Sequence, residues 1–161
     1  MNVDIESFRP EHASRFAQLN RDWLEMYGLM EPSNEEQLAD PQTYFLDRGG
    51  QIFVALRDGD VVGTCAIVPH DVDEFELAKL TVLPAFRGQR IARRLVERCL
   101  AFARERAARR VVLVSNSQLE VALRLYESFG FEHRAAPGDK EYEHQDVYMV
   151  LDLDVEDPPL R

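Results

Sequence analysis

The chain has 161 residues, 45% of them hydrophobic and 30% charged, which suits one domain with a sizeable core and a solvated surface. Its net charge of −10 argues against general nucleic-acid binding, whose affinity rests on phosphate neutralisation. No apolar run approaches the roughly 20 residues of a membrane span, and Met1–Glu6 shows no signal-peptide pattern. The two cysteines, Cys65 and Cys99, and the four histidines show no metal-ligand spacing, so the expectation is a cytoplasmic chain with reduced thiols and no metal site.

In chain order, Val3, Ile5 and Phe8 predict a short strand ending near Pro10. Phe16, Leu19, Trp23 and Tyr27 recur at helical spacing, so residues 11–27 read as a helix. Pro32 to Asp40 reads as a loop with a helical turn. Asp40-Pro41 reads as the start of a short helix, with Asp capping and Pro at the first position, ended by Gly49-Gly50. Gln51–Arg57 and Val61–Val68 flank Asp58-Gly59-Asp60, a hairpin signal. Glu74–Leu83 is a further β-rich run, stopped by Pro84. Residues 89–107 predict a long helix, Val111–Val114 a strand, and Gln118–Ser128 a helix ended by Gly130. Phe131–Arg134 and Asp146–Leu153 predict closing strands around Pro137-Gly138.

No repeat or linker interrupts this order. Residues 1–154 are expected to form a single domain, and 155–161, with Asp157-Pro158-Pro159, a frayed tail. The order β-α-α-β-β-β-α-β-α-β-β predicts an α/β fold, a central mixed sheet with helices on both faces.

The helix from Gln89 opposes its own dipole. Helix N-termini favour acidic residues, yet Arg90, Arg93 and Arg94 occupy its first turns. An anion held by the free N–H groups would compensate. Gly88 lets the backbone approach a phosphate, and Arg87 and Arg90 add charge-assisted donors. A solvated basic helix paired with acidic neighbours would explain the same charges. The Walker and dinucleotide glycine patterns are both absent.

Leu80-Thr81-Val82-Leu83-Pro84-Ala85-Phe86-Arg87-Gly88-Gln89-Arg90-Ile91-Ala92, then Ser115-Asn116 and Ala122-Leu123-Arg124-Leu125-Tyr126-Glu127-Ser128-Phe129-Gly130-Phe131, resemble the GNAT superfamily of N-acetyltransferases. The family pattern is Gln/Arg-x-x-Gly-x-Gly/Ala after a strand, then a distal Leu-Tyr-x-x-x-Gly-Phe. One position departs from it: Arg90 stands where the family has Gly, and its side chain could crowd a pyrophosphate or point outward. The resemblance implies acetyl-CoA as co-substrate. The backbone of Leu80 and Val82 would hold the pantetheine arm, and Arg87, Gly88, Gln89, Arg90, Ile91 and Ala92 the pyrophosphate. Asn116 would meet the arm, and Tyr126 would sit near the sulfur.

Attack of an amine on a thioester needs a base, an oxyanion donor and an acid for the thiolate. Glu76 is the candidate base, with Glu74 expected to be exposed at the strand start. The Val82 N–H is the candidate donor and Tyr126 the candidate acid. Equally, Glu76 could pair with Lys79 or an arginine, although a regular strand puts Glu76 and Lys79 on opposite faces. Tyr126 could be a core residue, and Asn116 a turn-former. Trp23, Tyr27, Tyr44 and Tyr142 are the candidate acceptor-binding residues. The acceptor is expected to be a small metabolite or amino acid with a primary amine, the negative total leaning toward a cationic one. A protein Lys or N-terminus is the alternative acceptor, and a non-catalytic acyl-CoA sensor the alternative role. Such a sheet is also compatible with a homodimer through an edge strand.

Overall fold

The computed structural model describes residues 2–138 and 145–153. Strand β1 (Asp4–Ser7) leads through a tight turn at Pro10–His12 into helix α1 (Ala13–Met26). Helix α2 (Pro32–Ala39) follows, where a loop with only a helical turn was expected. Pro32 takes its first position and Glu31 is extended (φ −136°), while Asn34 and Leu38 bury one side. Asp40 ends α2: it precedes Pro41, which disfavours helical geometry, and it adopts φ −146°. Its Oδ1 then accepts from the Thr43 N–H (3.3 Å), the expected cap. What it caps is only one wide turn over Gln42–Leu46, closed by the Asp47 N–H to the Gln42 carbonyl (2.8 Å), not a helix running to Gly49.

The hairpin forms as expected. Strands β2 (Gln51–Arg57) and β3 (Asp60–Asp71) are joined through Asp58 (φ 52°) and Gly59 (φ 83°). Two consecutive left-handed residues match the twist of paired strands. After β4 (Glu74–Val82) come α3 (Ile91–Glu105), β5 (Arg110–Ser115), α4 (Glu120–Ser128), β6 (Glu132–His133) and β7 (Val147–Asp152). The strands form one seven-stranded sheet in the order β1-β2-β3-β4-β5-β7-β6. β4 and β5 are parallel and the other pairs antiparallel, so the sheet is mixed as predicted.

Strand alternation divides the core in two. On one face, Leu95, Val96 and Cys99 of α3 pack on Cys65, Ile67, Leu77, Val111 and Leu113. On the other, Phe16, Leu19 and Leu24 of α1, Leu38 of α2 and Phe45 pack on Ile52, Val54, Ala66 and Val68. Each fully buried side chain of this size contributes about 1.5–3 kcal/mol. The tail from residue 155 and Tyr142 lie outside the described residues.

Candidate active site

The sheet splits beside β4. Its parallel ladder with β5 covers only Glu74–Glu76 against Arg110–Val112. Past that point β5 continues with β7, as far as Ser115 opposite Val147. A cleft of about 400 Å³ opens along the rest of β4, lined by Glu76 to Val82 on one side and by Ser115, Ala122, Leu125 and Tyr126 on the other. Trp23 of α1, Tyr27 just after that helix and Asn34 of α2 close one end, and Arg87 and Ala92 the other.

A bulge reshapes β4 within this cleft. Thr81 stands opposite Thr64 and Ala78 opposite Ala66, so Lys79 and Leu80 together face Cys65. Lys79 adopts φ 57°, a left-handed conformation rare for a long side chain. Alternation shifts by one residue there. Phe75 and Leu77 face the α3 core before the bulge, Leu80 and Val82 after it. Lys79 therefore turns to the α1/α2 side, where its Nζ donates to Asn34 Oδ1 (2.7 Å). The regular-strand expectation that Glu76 and Lys79 lie on opposite faces is corrected accordingly. Three side chains brace the bulge. Thr64 Oγ1 donates to the Lys79 carbonyl (2.7 Å), Asn20 Nδ2 to Thr64 Oγ1 (3.0 Å), and Trp23 Nε1 to Asn20 Oδ1 (3.2 Å).

At the other end, Pro84–Phe86 makes a tight turn and Arg87 Nε donates back to the Val82 carbonyl (3.2 Å). Gly88 (φ 79°) and Arg90 (φ 63°) are both left-handed, and α3 starts one residue later. A Cβ built on Gly88 would meet nothing within 4 Å, so this side of the loop is open to a ligand. The family's glycine position is thus one that wants glycine, and an arginine there carries strain of roughly 1–2 kcal/mol. Arg90 is exposed and does not line the cleft. Arg93, by contrast, is spent within the protein: it donates to Ser128 Oγ (2.6 Å) and lies 4.7 Å from the Phe129 ring centroid. The open amides at the start of α3, with Arg87 and Arg90, fit a pyrophosphate.

The remaining predicted residues divide. Glu76 is the last β4 residue paired with β5, half-buried and on the cleft. Glu74 is not exposed as expected. Its side chain is 12% accessible and held by His70 Nδ1 (2.8 Å), with Arg110 at 4.0 Å. Tyr126 combines both expectations. Its ring packs edge-on against Phe131 (centroids 5.9 Å apart) within the α3 core, yet it lines the cleft. Burial, followed by the nearby Cys65 and Cys99, pushes its phenol far above the ordinary range, so it stays protonated. Asn116 builds the turn into α4. Its Oδ1 accepts from the Gln118 N–H and its carbonyl from the Leu119 N–H, each at 3.0 Å. Ser115, not Asn116, lines the cleft. Tyr44 packs against the α1/α2 core and is also absent from the lining.

Sequence reasoning missed Lys79, Asn34, Gln118 and Gln145, all on the lining. Gln145 Oε1 is buried without a hydrogen-bond partner among the described residues. An acceptor oxygen so placed fits a ligand bearing amide N–H groups, as the pantetheine arm does. Among the described residues no cluster of three or more His, Cys, Asp or Glu could hold a metal, and no helix is long and apolar enough to cross a membrane.

The fold is a mixed seven-stranded sheet that splits beside a glycine-bearing loop at the start of a helix. The chain belongs to the acetyltransferase (GNAT) family, whose profile matches residues 16–131. Acetyl-CoA is the co-substrate of that family. N-acetylaspartate synthetase of Mus musculus is 40% identical over 101 residues, which cover 62% of this chain and 34% of that protein. The chain thus spans about a third of the length of that relative. A GNAT-family acetyltransferase from Staphylococcus aureus Mu50 shares the fold with a TM-score of 0.86 at 14% identity, covering 94% of this chain and 99% of that one. The putative acetyltransferase yncA from Salmonella typhimurium, solved with acetyl-CoA, aligns with a TM-score of 0.75 at 22% identity, over 99% of this chain and 98% of its own.

Proposed function

We propose that the chain transfers the acetyl group of acetyl-CoA to the primary amine of a small metabolite or amino acid, by direct attack. The observation that carries this is the split between β4 and β5. It has Glu76 at its fork and Tyr126 on its far wall, and it runs to the open start of α3. The name of the mouse relative supports an amino acid as acceptor.

Each group has one task. The acceptor arrives as an ammonium ion, because alkyl amines titrate near pH 10. The Glu76 carboxylate takes its proton, directly or through a water. The nitrogen then bonds to the acetyl carbon as the bond from that carbon to sulfur breaks. The Leu83 N–H donates to the Val62 carbonyl (2.9 Å), and N–H groups alternate along a strand. The Val82 N–H therefore turns into the split, where it can hold the negative oxygen that develops. Tyr126 supports the departing thiolate. With its pKa raised by burial it acts first as a hydrogen-bond donor to sulfur, and a proton follows from the phenol or from solvent.

Two measurements test the reading. Acetyl-CoA titrated into the protein should raise its melting temperature, by the equivalent of about 2.7 kcal/mol at a hundredfold excess over Kd. Acetyl-CoA-dependent release of thiol should then appear with a primary amine and be lost in Glu76→Gln. No thermal shift at millimolar acetyl-CoA would overturn the proposal.

A further inference from the structure

We infer that the acceptor is a small zwitterion read at both ends by one strand, Glu76 facing its ammonium group and Lys79 its carboxylate. This deepens the acetyl-transfer reading and rests on it.

The bulge is the first ground. Without it, residues three apart on a strand point to opposite faces; with it, Glu76 and Lys79 share the acceptor side of one cleft. At about 3.3 Å per residue their Cα atoms lie no more than about 10 Å apart, so a molecule bridging them is short.

The second ground is the cost of this arrangement. Lys79 holds a left-handed φ of 57°, and such strain persists only where surrounding structure enforces it. Here Thr64, Asn20 and Trp23 enforce it. Asn34, 2% exposed, fixes the ammonium head. Its Nδ2 donates to the Leu29 carbonyl (3.5 Å), which orients its Oδ1 toward Lys79. The braced backbone places the Lys79 cation on the α1/α2 side of the cleft.

The charge of the cleft is the third ground. The whole chain carries −10 and would draw any cation. Among the described residues, however, the charged side chains of its cleft are Glu76 and Glu120 together with Lys79 and Arg87. A purely cationic amine would meet Lys79 as a like charge, whereas a carboxylate there makes a charge-assisted hydrogen bond.

The experiment compares free α-amino acids, with acidic, neutral and basic side chains, against their own carboxamides at saturating acetyl-CoA. Amines next to an amide titrate near 7.7–8.0, so the carboxamide is the more easily deprotonated nucleophile. Preference for the acid therefore reports recognition, not reactivity. For the amino acid turned over best, kcat/KM should exceed that of its carboxamide by about tenfold or more, the worth of a hydrogen bond to a charged group. Lys79→Met should collapse that ratio toward one, and Lys79→Arg should keep part of it. Equal kcat/KM for acid and amide in the unaltered protein overturns the inference while leaving acetyl transfer intact. A ratio that survives Lys79→Met overturns it too. Should Lys79→Met fail to fold, the ratio in the unaltered protein decides alone. Absence of turnover with every amine overturns the acetyl-transfer reading and this inference with it.

Discussion

The two ends of the cleft are assembled over different distances along the chain. At the donor end, Arg87 reaches back five residues to the Val82 carbonyl, and the cradle is one unbroken run from there to Ala92. At the acceptor end, Asn20 meets Thr64 across 44 residues and Lys79 meets Asn34 across 45. Local geometry is dictated by local sequence, so the donor end reads as a motif. The acceptor end is a buried network with no local signature, and it can change its specificity while the motif stands.

The largest effect that tests this division is Glu76→Gln, which keeps the shape of the side chain and removes the proposed base. We expect kcat to fall by about 10²–10⁴. The melting-temperature rise with acetyl-CoA should persist, because the proposed task of Glu76 concerns the acceptor amine alone. Loss of both together would mean that the ends are not separable.

Next is Thr64→Val. Thr64 is fully buried and links Asn20 to the Lys79 carbonyl. An isosteric valine leaves both without that partner, at a cost of about 1–3 kcal/mol. The bulge should loosen, and KM for the amine should rise more than KM for acetyl-CoA. Equal rises would show that the bulge serves both ends.

Arg90→Gly is smaller and probes the donor end. Glycine relieves a left-handed strain of roughly 1–2 kcal/mol but adds about 0.4–1 kcal/mol of freedom to the unfolded chain. Stability should rise by no more than about 1.6 kcal/mol. A severalfold weaker Kd for acetyl-CoA would then belong to the lost guanidinium alone. An unchanged Kd would assign the phosphates to Arg87 and the backbone.

The legibility of the chain follows the same division. Helix α3, the hairpin and the loop that leads from Val82 into α3 were readable because apolar spacing, paired turn residues and a glycine-bearing loop act over short stretches. Helix α2 was misplaced because Pro32 and Pro41 are equally good helix starts. What separates them is the burial of Asn34 and Leu38 against α1 and the sheet, a tertiary fact. The bulge was invisible for a related reason. Nothing in Glu-Leu-Ala-Lys-Leu-Thr-Val announces a left-handed lysine, and only the register against β3 reveals that alternation slips. Glu74 was read as exposed because its partners His70 and Arg110 come from β3 and β5.

The smallest effect concerns how the acceptor end is anchored. His12 is buried at the start of α1, the helix that carries Asn20 and Trp23. Its Nδ1 accepts from the Arg9 N–H (3.0 Å), which requires the neutral ring, and its edge meets Phe8 with centroids 6.1 Å apart. Burial, and then the Arg9 charge, hold its pKa below the ordinary 6.5. Between that lowered value and 6.5 the unfolded chain binds more protons than the folded one, so stability rises with pH across the window. The contribution is complete above 6.5 and is lost as the pH falls through the folded value. Acidification below 6.5 should therefore release α1 before α3. Amide hydrogen exchange followed from pH 7 downward should show α1 losing protection first, and His12→Gln should remove the difference. Equal loss in both helices would place the acid sensitivity elsewhere, in carboxylates such as Glu35 paired with Arg21 (2.6 Å), and would detach it from the acceptor end.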